Sequence, residues 1–129
     1  LSILDYNHTA IEWNPAPPSS MLEFYHTFLK WRADAGMNNR VADEIATLLQ
    51  QQGFTGIETI NADQTYTKGD DHFQTNLGIW IKVAQSQQMV IEGYITDELR
   101  LKAIEDYSNW IETEALSMTL KMNDVRGKA

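Results

Sequence analysis

Residues 1–21 read LSILDYNHTAIEWNPAPPSSM, and the fold turns on how this stretch divides. Leu1, Ile3 and Leu4 make the short apolar run of a buried strand, and Asp5, Tyr6, Asn7 and His8 follow at its carboxyl end. The NPAPP segment that begins at Asn14 carries all three prolines of the chain. They fix φ and remove backbone donors, so neither helix nor central strand fits there. Ser19 and Ser20 are N-cap candidates for a helix beyond them. In open α/β sheets, ligands bind past the carboxyl ends of strands. The polar cluster therefore has two readings. With Glu12 and Trp13 it walls a small-molecule pocket, or else Asp5 and Asn7 satisfy backbone groups in a turn.

Further along, the apolar spacing alternates between helical and extended. Leu22, Tyr25, Phe28, Leu29 and Trp31 recur three and four apart, predicting a helix that stops near Gly36. A second helix follows Asn38 or Asn39, with Val41, Ala42, Ile45, Leu48 and Leu49 on one face and Gly53 at its end. Residues 56–61 read as a strand, and the polar ADQTYTKGDD as a loop in which Asp70 or Asp71 caps a third helix. That helix carries Phe73, Leu77, Trp80, Ile81 and Ala84 as its stripe. Thr96 caps a fourth helix, with Asp97 and Glu98 in the first turn, where the positive end of the dipole favours them. Its core face is Leu99, Ala103, Ile104, Tyr107, Trp110 and Ile111. Met118, Leu120 and Met122 then alternate with polar residues, the period of a strand. The order strand, two helices, strand, two helices, strand is α/β, and 129 residues suit one domain, 1–129.

Composition narrows the partners. Hydrophobic residues make up 43% of the chain, including four Trp, five Tyr and four Phe, enough for a packed core. A net charge of -8 with no basic run argues against nucleic acid or an anionic membrane surface. Cysteine is absent, which excludes disulfides and thiolate metal sites and suits a cytoplasmic location. No apolar run reaches the ~20 residues of a membrane helix.

Few residues carry recognisable chemistry. His8, His26 and His72 form no metal-ligand spacing, and His26 and His72 read as surface or capping residues. There is no GxSxG, P-loop or GxGxxG, and the seven glycines are scattered. The Asp70–Asp71 and Glu112–Glu114 pairs read as caps or solvated faces. The opening cluster is what remains.

Four pieces together resemble a known family: ILDYNH, WxPxPP, FYxxFLxWRxDAGMNN with VADEI and LLQQQGF, and the later GYITDELRLKAIEDYSNWI with SMTLKMNDVRGKA. They are similar to the C-terminal half of class I S-adenosylmethionine-dependent methyltransferases, in a bacterial subgroup with small-molecule or unassigned substrates. The resemblance implies a partial Rossmann-like sheet of three strands in the order 5-7-6, the last strand antiparallel, with about four helices. Leu1–Leu4 would be strand five, Gly56–Asn61 strand six and Ser117–Asn123 strand seven, and 71–115 a helical insertion between the last two.

It also implies S-adenosylmethionine as cofactor of the full-length protein. The glycine-rich loop and the acidic ribose ligand of the family have no counterpart in this chain, so no cofactor residue is assigned. Asp5, Tyr6, Asn7, His8 and Trp13 would face a small-molecule acceptor, His8 being the candidate base, with Trp31 and Arg32 as further contacts. Trp31 equally fits a core position by its helical spacing. The expected partners are a missing N-terminal cofactor-binding half and, through an exposed strand edge, a second copy in a homodimer. The alternative is a stand-alone small α/β binding or dimerisation module without catalysis.

Overall fold

The computed structural model describes residues 2–6, 10–37, 39 and 41–128, the side chains of Ser2, Asp5, Tyr6 and residues 41–43 lying outside that description. In chain order the elements are β1 (Ser2–Tyr6), β2 (Glu12–Asn14), α1 (Ser19–Asp34), α2 (Val41–Gln51), β3 (Thr55–Asn61) and β4 (Gln64–Thr67). They continue as α3 (Phe73–Leu77), α4 (Ile79–Gln85), α5 (Gln88–Ile91), α6 (Asp97–Thr113), β5 (Ser117–Leu120) and β6 (Met122–Lys128). The class is mixed α/β, with two three-stranded antiparallel sheets ordered β1-β6-β3 and β2-β5-β4. Among the described residues, no helix is long and apolar enough to cross a membrane.

Contacts divide the chain into two units. Unit 1 comprises Leu1–Glu12, Asn38–Thr65 and Thr119–Ala129, and unit 2 comprises Trp13–Met37 and Tyr66–Met118. In unit 1, β6 runs antiparallel to both neighbours, placing Ile3 and Thr59 opposite Val125, and Leu4 and Ile60 opposite Asp124. Directly opposed residues share a face of the sheet. One face therefore carries Val125 and Ile3 against Ile45 and Leu49 of α2, with Phe54 and Ile57 packed alongside. Gly127 completes that face. A Cβ there would meet Ile57, Phe54 and Leu49 at 3.4, 3.6 and 3.8 Å, so the missing side chain lets all three close over β6. On the other face Leu4 and Ile60 are 56% and 41% exposed.

Unit 2 is built on rings. Facing positions of α1 and α6 bury Met21, Phe24 and Tyr25 against a stripe of Ala103, Tyr107, Trp110 and Ile111. Trp80 of α4 stands edge-on to Tyr25 and Phe28 with centroids 5.1 and 5.3 Å apart, and Trp13 of β2 stands edge-on to Tyr25 at 5.2 Å. Edge-to-face packing at these distances matches the negative ring face to the positive ring edge. Arg100 is buried too, its guanidinium donating to Asp97 at 2.7 Å and to the Ala84 carbonyl at 3.0 Å. Thr96 caps α6 as expected, its hydroxyl oxygen accepting the Leu99 N–H at 3.1 Å.

Several elements differ from the sequence expectation, each for a local reason. The four expected helices are α1, α2, the pair α3 and α4, and α6. The third is broken at Gly78, where a Cβ would lie 2.9 Å from the Gln74 carbonyl oxygen, and the one-turn α5 follows. Three expected strands become six among the described residues. The expected final strand splits at Lys121 into β5 and β6, which belong to different sheets, while β2 and β4 form in segments read as loop. The N-cap of α1 is Pro18 rather than either serine; both serines lie inside the helix, and Ser20 donates its hydroxyl to Asp106 at 2.7 Å. Asp70 does not cap α3 either; its carboxylate accepts the Thr67 N–H at 2.9 Å, closing a turn. The first strand is not buried throughout, since α2 covers only one face of its sheet.

Candidate functional site

The sequence candidates fall in two places. Asp5 and Tyr6 end β1 in unit 1, paired with Asn123 and Met122 of β6. Asn7 and His8 lie outside the described residues. Because β1 and β3 both run antiparallel to β6, their carboxyl ends meet at one end of the sheet, where Asn61 also pairs with Asn123. That end is polar. The Asp63 carboxylate accepts the Met122 N–H at 2.9 Å, and Lys121 stands 3.3 Å from Asp63 and 3.7 Å from Glu12. The Met122 N–H, followed by Lys121, holds the Asp63 carboxyl below the usual carboxylate range against the opposing effect of burial. Asp63 and then Glu12 raise the Lys121 ammonium correspondingly. The trio fixes Lys121 where the chain passes from β5 to β6.

Trp13, Trp31 and Arg32 belong to unit 2. Trp13 sits in β2 and is half-buried, its indole N–H donating to the Tyr107 hydroxyl at 3.0 Å. Tyr107 in turn donates to the Leu77 carbonyl at 2.9 Å. Burial pushes the Tyr107 hydroxyl well above the usual phenol value, the Trp13 hydrogen bond opposing it. Trp13 is thus held by a buried network, a structural role that its position after a polar cluster does not reveal.

Trp31 does line a cavity. A space of about 240 Å³ lies among α1, α4 and α5, walled by Phe24, Phe28, Trp31, Val83 and Met89, with Lys82, Ser86 and Gln88 supplying polar groups. The Trp31 indole N–H donates to Glu92 at 3.0 Å, and the Gln88 amide donates to the same carboxylate oxygen at 2.8 Å. Two donors on one oxygen fix the rim. Arg32 places its guanidinium over the Phe28 ring, 5.8 Å from the centroid. The helical spacing that suggests a core position leaves Trp31 half-buried at the rim of this cavity. Lys82, Gln88 and Glu92 were not singled out by sequence, since no spacing distinguishes a rim residue from a solvated one.

The remaining candidates stay apart from this cavity. His26 and His72 are exposed, in keeping with a surface reading, and His72 adopts a left-handed φ of 64° before α3. His72 lines an open, polar depression with Lys68, Asp70 and Glu112. Among the described residues, no group of three or more His, Asp or Glu side chains is placed to hold a metal ion.

The cavity beside Trp31 does not fit S-adenosylmethionine. The aromatic cavity is too small for an adenosine with its methionine arm, and its lining offers one cation and no carboxylate for a ribose. No protein-family model matches the chain, and no curated protein matches it.

Proposed function

We propose that this chain is the C-terminal, acceptor-side portion of an S-adenosylmethionine-dependent methyltransferase, with the cofactor held by sequence beyond these 129 residues. The observation that carries the reading is the order β1-β6-β3 with the middle strand antiparallel to both neighbours. This order supports the 5-7-6 edge that the resemblance implies if β6, which shares only Met122 and Asn123 with the expected strand seven, takes that strand's place; α2 covers one face, and α3 to α6 lie between β3 and the last strands in the chain. In this reading Asp5, Tyr6, Asn7 and His8, at or just after the end of strand five in the sequence, serve the small-molecule acceptor. Their part is to bind and orient it, and His8 is the group to take its proton. Strand β1 has a neighbour on one side only among the described residues, and its open edge suits pairing with the missing half or, in the isolated chain, with a second copy.

A second reading, a stand-alone binding module, draws support from unit 2, which closes its own aromatic core around its own cavity. Calorimetry with S-adenosylmethionine separates the two. The first reading expects binding by the protein expressed from the longer reading frame and none by this chain. Micromolar binding to this chain alone, or none by the longer product, overturns it.

A further inference from the structure

The cavity among α1, α4 and α5 has a chemical preference that does not depend on the methyltransferase reading. We infer that it binds a small, flat, apolar molecule carrying a single carboxylate. Size is the first argument. A cavity of ~150 Å³ lined by apolar side chains admits benzene, so about 240 Å³ holds a ring or a fused pair of rings. Shape is the second. Phe24, Phe28 and Trp31 present flat surfaces, and two of them are pinned: Trp31 by its bond to Glu92, and Phe28 by the edge contact with Trp80. Walls fixed before binding lose little freedom on binding, which favours a rigid, planar occupant over a flexible chain.

Charge decides the rest. Lys82 lines the cavity, is exposed, and makes no ion pair among the described residues. The Glu92 carboxylate at the rim has one oxygen occupied by Trp31 and Gln88, and Arg32 already lies over Phe28. A cationic ligand would meet Lys82, although aromatic walls alone would suit one. One ammonium without a guanidinium fork in the lining matches a monoanion better than a phosphate, which calls for several donors in fixed geometry. The carboxylate would lie towards Lys82 with its ring between Phe28 and Met89, and Ser86 and Gln88 are the other polar groups of the lining.

The test is calorimetric titration of the full chain with 1-naphthoate, its neutral analogue 1-naphthamide, and benzoate, repeated on Lys82→Gln. Lys82 is exposed, so the variant keeps the fold. Saturable naphthoate binding is expected, with a shift of the Trp31 indole N–H resonance that locates it. Loss of the charge should weaken naphthoate about tenfold, the worth of one charge-assisted hydrogen bond, and leave naphthamide unchanged. Absence of saturable binding by either carboxylate overturns the inference. So does naphthoate binding that Lys82→Gln leaves intact, or that does not move the Trp31 signal.

Discussion

Among the described residues, unit 1 buries mainly aliphatic side chains, Ile45, Leu49 and Val125, between α2 and its sheet, whereas unit 2 closes on interlocked rings and a buried hydroxyl. Aliphatic burial is nearly directionless and follows apolar area, so neighbours can slide to fill a gap. Ring edges and hydrogen bonds hold only at set angles. The first arrangement keeps a strand order together. The second holds particular side chains in particular places, as a rigid cavity wall requires. The same chain thus joins a tolerant core to an exacting one.

The sharpest way to break this contrast is Trp80→Ala. Trp80 is 2% exposed and is in edge contact with Trp13, Tyr25 and Phe28, so its loss should cost about 3–5 kcal/mol. Urea denaturation followed by circular dichroism would measure it, and a loss under ~1 kcal/mol would show that the ring core repacks freely. Leu49→Ala should cost less, about 2–3 kcal/mol, because the partly buried Ala46, Phe54 and Ile57 beside it can move inward. Amide hydrogen exchange should then quicken in β3 and β6 while α6 stays protected. Equal quickening in α6 would mean that the two cores melt as one.

Smallest of the three is Tyr107→Phe, at about 1–3 kcal/mol, which strands the Trp13 N–H and the Leu77 carbonyl. Its signature lies in pH. The folded-state pKa of Tyr107 is raised by burial, so the neutral hydroxyl favours folding. That contribution is complete below the unfolded value, about 10, and is lost as pH rises beyond it. Wild-type denaturation midpoints should fall on the alkaline side of about pH 10 more steeply than those of the variant. Parallel curves would remove Tyr107 as the cause.

Short-range patterns made the longer elements legible. The cap at Thr96, the apolar stripe of α6, and the stops near Gly36 and Gly53 all stand where sequence spacing puts them. The short strands were not legible. A three-residue strand such as β2 forms because a partner strand lies beside it, and local composition carries no record of that partner. Alternation continues unbroken from Met118 through Leu120 to Met122, so nothing local marks the change of sheet at Lys121. The change is held by Asp63 and Glu12, residues far away in the chain. Arg100 was invisible for a related reason. A charged residue on a helix reads as solvated until a carbonyl such as that of Ala84 is found against it. Among the site candidates, Trp31 could be placed by spacing, whereas Trp13 owes its position to Tyr107, 94 residues on.

All four tryptophans, Trp13, Trp31, Trp80 and Trp110, fall within unit 2. Indole emission excited near the red edge of protein absorption therefore arises from that unit alone. The sheet β1-β6-β3 carries no tryptophan of its own, so a fluorescence melt follows unit 2 directly. A single tryptophan placed on the exposed face of that sheet, for instance by Ile60→Trp, would give the silent half a voice of its own.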